Sequence, residues 1–210
     1  MTHPNLHILE HPLIQQKLYY LRSKKSNNLS FRNMLDEIGA LMVYEVTRDL
    51  PLDEREVETP LEITTGYVLS KKLTLVPILR AGLAMCDGIL KLIPQARVGH
   101  LGLYRDKDSL KPVEYYSKFP SDMNESEVII IDPMLATGGS ASAAVDLVKN
   151  TGVTSIRFVC LVASPEGVKF MAERHGNVKI YTAALDRQLN EHGYILPGLG
   201  DAGDRIYGTE

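Results

Sequence analysis

Apolar residues follow two different periodicities along this chain, and the change comes near residue 73. Upstream the spacing is helical. Leu13, Ile14, Leu18 and Leu21 recur at helical intervals after Pro12, a residue suited to the first turn of a helix. The stretch "KKSNNLS" interrupts that helix, and Ser30 is placed to be the N-cap of a second one. Phe31, Met34, Leu35, Ile38, Leu41, Met42 and Val46 then form a single stripe that reads as core or subunit packing. Residues 1–50 are therefore predicted to be a helical extension. The charged segment "LPLDEREVETPLEITTGYVLSKK", punctuated by Pro51 and Pro60, predicts an edge hairpin or arm.

Downstream, short apolar runs alternate with helical patterns. Strands are predicted over 73–79, 97–104, 127–132, 155–163 and 178–185, with helices over 83–93, 140–150 and 165–175. The first, third and fourth runs are almost continuously apolar, as strands covered on both faces are. This order predicts an α/β fold with a mostly parallel twisted sheet flanked by helices. Two stretches stand outside the alternation, 105–122 ("RDKDSLKPVEYYSKFPSD") and the terminal "LNEHGYILPGLGDAGDRIYGTE".

Composition narrows the setting. A chain of 210 residues with 44% hydrophobic content fits one α/β domain. Its net charge of -3 speaks against a general nucleic-acid surface. No apolar run reaches membrane-spanning length, and the first residues lack the basic start and apolar core of a signal peptide. Cys86 and Cys160 lie far apart in apolar surroundings, which points to a reducing compartment. The expectation is a cytoplasmic protein with neither a membrane nor a nucleic acid as partner.

The densest chemistry lies in "VIIIDPMLATGGSASAAV" (128–145), a strand, a turn of small residues and a helix start. Gly138 and Gly139 can present bare backbone N–H groups, Thr137 and Ser140 add hydroxyls, and the helix start adds its dipole. Together with Asp132 this suits a phosphate monoester. The lysine of a triphosphate loop is missing, and the spacing is not that of a dinucleotide fingerprint. In "VPILRAG", Arg80 ends a buried strand beside Ala81 and Gly82, where a guanidinium fork suits a diphosphate or a carboxylate. Arg105 begins the long polar stretch 105–122, a length typical of lids, in which Tyr115, Tyr116 and Lys118 read as hairpin surface. Near the end, Pro197, Gly198, Gly200 and Gly203 force an irregular backbone whose N–H and C=O groups could read a small planar heterocycle.

An apolar run, an acid and "ATGGS" resemble the phosphoribosyl-diphosphate (PRPP) signature of the type I phosphoribosyltransferases. Most of that family carries a pair of adjacent acids. Here Pro133 follows Asp132, and Ala136 stands where many members have a further acid. The variant "DPMLATGGS", with "HPL", "YEVTRDL", "VPILRAG", "PEG" and "NEHGYILPGLGDAGD", resembles the uracil phosphoribosyltransferases over nearly the whole chain.

That resemblance implies transfer of ribose 5-phosphate from PRPP to N1 of uracil, giving UMP and diphosphate. It implies PRPP binding by Arg80, Arg105, Asp132, Pro133, Met134, Leu135, Ala136, Thr137, Gly138, Gly139, Ser140 and Asp201, with 105–122 as a flexible β-arm. It maps a uracil-binding hood onto 190–210, through Ile195, Gly200, Asp201 and Ala202. Arg80, Arg105, Asp132 and Asp201 are the implied catalytic residues, and Asp201 is the residue nearest Mg²⁺, directly or through water or diphosphate. Whether Asp201 accepts the N1 proton or organises the metal is left open by the spacing. Family members form dimers or larger homo-oligomers, and GTP activates some of them. Two rivals stand beside this reading: another nucleobase as acceptor, and a nucleotide-sensing RNA-binding protein on the same fold.

Overall fold

The computed structural model describes residues 3–105 and 112–209. In chain order the elements begin with β1 (Leu6–Ile8), α1 (Pro12–Arg22), α2 (Asn28–Val46), the strands β2 (Leu52–Glu58) and β3 (Ile63–Leu69), then β4 (Lys72–Leu79) and α3 (Leu83–Leu92). Next come β5 (Arg97–Val98), β6 (His100–Arg105), β7 (Pro112–Lys118), β8 (Ser126–Ile131), β9 (Met134–Leu135) and α4 (Gly139–Lys149). The chain closes with β10 (Ile156–Ala163), α5 (Pro165–Arg174), β11 (Lys179–Leu185), β12 (Gln188–Leu189), β13 (Ile195–Leu196) and α6 (Ala202–Tyr207).

The main sheet runs β1-β11-β10-β8-β4-β6-β7, parallel throughout except for the β6–β7 edge. The expected parallel sheet is therefore present. Alternation along the buried strands sends side chains into two cores. Leu73, Leu75, Ile129, Ile131, Val159 and Leu161 meet α1, α2, α3 and α6 on one face. Val76, Ile78, Val128, Ile130, Phe158 and Cys160 meet α4 and α5 on the other. Within the stripe of α2, Phe31, Leu35, Ile38, Met42 and Val46 are fully buried, so its main role is core.

Chain order reverses inside this sheet. From β4 the chain moves outward to β6, then returns to lay β8 on the other side of β4. Such a switch opens a crevice beyond the carboxyl ends of the two strands, where α/β proteins bind ligands. Pro77 pairs with Ile131, so Arg80 and Asp132 leave the sheet side by side at that crevice.

The structure corrects two sequence expectations. Residues 1–50 are not all helical, because Leu6–Ile8 forms an edge strand parallel to β11. Asn27, not Ser30, caps α2: its side chain accepts the Ser30 N–H at 2.9 Å, which makes Ser30 the N3 residue. The segment expected as an edge hairpin or arm forms the antiparallel β2–β3 hairpin, apart from the main sheet, as an arm would.

One buried cation ties α2 to the sheet. Arg157, on β10, donates to the Val46 carbonyl at 2.6 Å, to the Tyr181 hydroxyl at 3.2 Å and to Asp49. It thereby satisfies a carbonyl at the helix C-terminus and places positive charge there. Lys179 and Arg157 hold the Asp49 carboxyl well below its usual range. The unfolded chain then takes up this proton first, so the contribution is present above the ordinary value of 3.8 and is lost as pH falls below it. Asp49→Asn is expected to cost about 1–2 kcal/mol at neutral pH and to flatten this part of the acid limb, measured by urea unfolding at several pH values.

Candidate active site

The segment after β8 is shaped by where its carbonyls go. Pro133 O accepts the Leu161 N–H at 2.9 Å, Leu135 O accepts the Ser164 N–H at 2.9 Å, and Ala136 O accepts the Ser164 hydroxyl at 2.6 Å. In trans peptides the N–H opposes the C=O, so the N–H groups of Ala136 and Thr137 face away from β10 and α5. Gly138 follows with φ of 84°, and an added Cβ would meet Phe170 at 2.9 Å and Gly167 O at 3.1 Å. Gly167, in the "PEG" stretch, is required for the same contact, since its Cβ would lie 2.3 Å from Ala136 O. The first turn of α4 receives no side-chain cap, whereas those of α1, α2, α5 and α6 do. Thr137 is exposed, and Gly139 and Ser140 are half-buried at the start of α4. The result is a concave run of backbone donors at a helix N-terminus, an anion cradle.

Pro133 and Leu135 are buried and Met134 packs on the core, so any ligand contact from them comes through backbone. Asp132 is half-buried and its carboxylate accepts the Met134 N–H at 3.3 Å. Burial is the main influence on this acid; with a smaller contribution from the charge of Asp201, it raises the carboxyl to about 7 despite the Met134 bond.

Arg80 is exposed at the mouth of the crevice, and the peptide joining it to Leu79 is cis. Its guanidinium lies 4.0 Å from Asp204 and 5.6 Å from the centre of the Tyr207 ring, while Tyr207 donates its hydroxyl to Arg80 O at 3.1 Å. Gly203 sits between two of the sequence-predicted residues: its added Cβ would lie 3.2 Å from Asp201 Oδ1 and 3.7 Å from Arg80 Nη2. Arg80, Asp132 and Asp201 are thus brought to one crevice from three separate segments. Arg105 closes β6, but its side chain and residues 106–111 lie outside the described residues, so the expected lid has no structural account there.

At the terminal segment, Gly198 and Gly200 adopt positive φ of 63° and 79°. Ile195 and Ala202 are buried with Leu199 and Ile206, so a planar ligand here would meet their backbone. Gly200 and Asp201 are exposed. Asp201 also caps α6, accepting the Asp204 N–H at 3.0 Å.

Sequence reading missed Asp204 and Tyr207, which flank Arg80, and the packing role of Gly167. A capping pattern in "DAGD" was the available signal for the first. Burial raises the thiols of Cys86 and Cys160 to about 12, which disqualifies both as nucleophiles.

A protein from Lactococcus lactis subsp. cremoris (strain SK11), a uracil phosphoribosyltransferase, is 60% identical over 206 residues, covering 97% of this chain and 98% of that one. The solved AQ2163 protein of Aquifex aeolicus superposes with a TM-score of 0.93 at 38% identity, covering 98% of this chain and 99% of the other. A hypoxanthine-guanine phosphoribosyltransferase of Bacillus anthracis shares the fold at 11% identity and a TM-score of 0.51, over 76% of this chain and 80% of its own. The family described as uracil phosphoribosyltransferase matches residues 8–209, nearly the whole chain, and the chain belongs to that family.

Proposed function

We propose that this chain transfers the 5-phosphoribosyl group of PRPP to N1 of uracil, releasing diphosphate and forming UMP in pyrimidine salvage. The observation that carries it is an anion cradle at 136–140 on the segment that leaves β8, with Arg80, Asp132 and Asp201 gathered beyond the carboxyl ends of β4 and β8. In this reading the backbone N–H groups of 136–140 hold the 5-phosphate, and Thr137 and Ser140 add hydroxyl contacts. Asp132, as carboxylate, accepts from the ribose hydroxyls. Arg80 and Arg105 stabilise the diphosphate as the C1–O bond breaks. Backbone groups of 195–202 hold uracil edge-on with N1 toward C1, and Asp201 stands nearest the N1 proton.

Asp132 and Asp201 are hard oxygen donors close enough for one charge to shift the other, a donor set that fits Mg²⁺. Among the described residues there is no cluster of three metal-ligating side chains, so substrate phosphates would complete the shell around Asp201. Bound there, Mg²⁺ supplies charge neutralisation of the diphosphate. Homo-oligomers are supported by the β2–β3 hairpin, which exposes Leu52, Leu61, Ile63 and Tyr67 although an isolated hairpin is marginal. Activation by GTP rests on the family resemblance alone; sedimentation and turnover with and without GTP test both points, and no change with GTP removes that part. The buried free thiols support a cytoplasmic setting.

The acid value of Asp132 yields a pH dependence. With its carboxyl near 7 in the free protein, kcat/KM for PRPP is expected to fall as pH drops through that value and the carboxylate is lost. Asp132→Asn is expected to lower kcat about 10²-fold and to remove this limb. An unchanged pH profile in the variant would take Asp132 out of the site. For the reaction as a whole, steady-state assays with a panel of bases are decisive: uracil is expected to dominate, and a clear preference for hypoxanthine or guanine overturns the assignment.

A further inference from the structure

The segment that would read the base has little regular structure of its own. Between β11 and α6 only the two-residue strands β12 and β13 pair, and their ladder stops at Leu196, so it does not set the peptide planes of 198–200. Two arginines do so instead. Arg22, the last residue of α1, makes a bidentate pair with Asp186, at 2.8 and 2.6 Å. The same guanidinium donates to Gly198 O at 2.7 Å, and Asp186 accepts the Gly198 N–H at 2.8 Å. Gly198 is therefore gripped at both its N–H and its C=O. Asp186 is itself fixed at the end of the sheet, where its N–H donates to Ala163 O at 2.8 Å.

Arg205 repeats the device one residue later. It donates to Leu199 O and to Ser23 O, each at 2.7 Å, with its guanidinium 4.2 Å above the Phe31 ring. With the carbonyls of Gly198 and Leu199 taken, the N–H groups of Leu199 and Gly200 are turned away from both guanidinium groups. A buried ion pair is a poor route to stability, because desolvation offsets its attraction; what it supplies is fixed geometry. The Asp186 side chain is only 5% exposed, and its partner comes from a helix more than 160 residues away in the chain.

We infer that Arg22 and Asp186, assisted by Arg205, are positioning residues for base recognition: they lock the peptide planes of 198–200 against which the base is read. This inference rests on the uracil reading of that segment. It also gives the N-terminal helices a part in the reaction, since α1 carries the fork that orients the opposite end of the chain.

The test separates base affinity from PRPP affinity. Arg22→Met and Asp186→Asn are expected to raise KM for uracil at least about tenfold and to weaken UMP binding by calorimetry to a similar degree. KM for PRPP is expected to stay within about twofold. Arg22→Lys keeps the charge but not the fork, so its thermal midpoint is expected to match the wild type while KM for uracil stays raised. Parallel rises in both KM values, or full recovery of uracil affinity in the lysine variant, overturn the inference. Failure of all three variants to fold assigns the pair to stability and overturns it as well. A wild-type protein that fails to turn over uracil refutes the functional reading instead, so the two failures are distinguishable.

Discussion

Replacing Arg80 with methionine is expected to lower kcat/KM for PRPP by about 10²–10³-fold while the thermal midpoint moves by no more than a few degrees. The asymmetry follows from the placement of the side chain. It is 57% exposed, its nearest carboxylate is 4.0 Å away, and its ring contact is at 5.6 Å, so its charge contributes little to folding. Its value lies in the crevice, where a leaving diphosphate concentrates negative charge and excluded water strengthens each contact. Lysine at this position retains a point charge but loses the planar fork, so Arg80→Lys is expected to recover only part of the rate. Steady-state kinetics in both substrates and a thermal melt check this together. A variant with normal kcat/KM, or one whose lost activity tracks lost folding, would remove Arg80 from the diphosphate role.

Gly82→Ala is expected to fail for the opposite reason. Its Cβ would lie 2.4 Å from Ile131 O and 2.8 Å from both Ile78 N and Ile78 O. All three are backbone atoms of the central strands β4 and β8, which have no freedom to yield without moving the sheet. The expected cost is about 3 kcal/mol or more, read as a lowered urea midpoint. The same displacement would pry the Arg80 loop away from Asp132, so PRPP affinity is expected to fall in whatever fraction folds. Gly139→Ala supplies the control. Its Cβ meets nothing closer than Thr137 Oγ1 at 3.8 Å, in helical backbone, so its midpoint is expected to match the wild type. Equal stability of the two variants would mean that the close approach at Gly82 is not a constraint.

Much of this architecture is legible in the sequence because the central strands are covered on both faces. Continuous apolar runs such as "VIIID" and "RFVCLVA" leave few alternatives, and the helices between them carry clear stripes. Edge features are harder. β1 is three residues long, pairs on one side only and includes a histidine, so its pattern carries almost no signal. The cap of α2 was ambiguous because "SNNLS" offers several capping side chains, and only the Ser30-to-Asn27 hydrogen bond decides among them.

The site was readable in parts and not as an assembly. Each segment announces its own chemistry: a glycine turn for an anion, an arginine at a strand end, an irregular terminal loop. Their meeting depends on the reversal of strand order between β4 and β8, a tertiary fact with no local signature. The same holds for the grip of Arg22 on Asp186 and Gly198, where neither residue has a local motif. Asp132, which Pro133 follows in place of a second acid, illustrates the gain from structure. The second carboxylate near it is Asp201, which arrives from the far end of the chain.

The most direct test is to supply uracil, PRPP and Mg²⁺ together and to quantify both products. UMP and diphosphate are expected in equal amounts, with turnover abolished when a chelator removes the metal. Diphosphate released without UMP, or no UMP at all from a folded protein under these conditions, would contradict phosphoribosyl transfer to uracil.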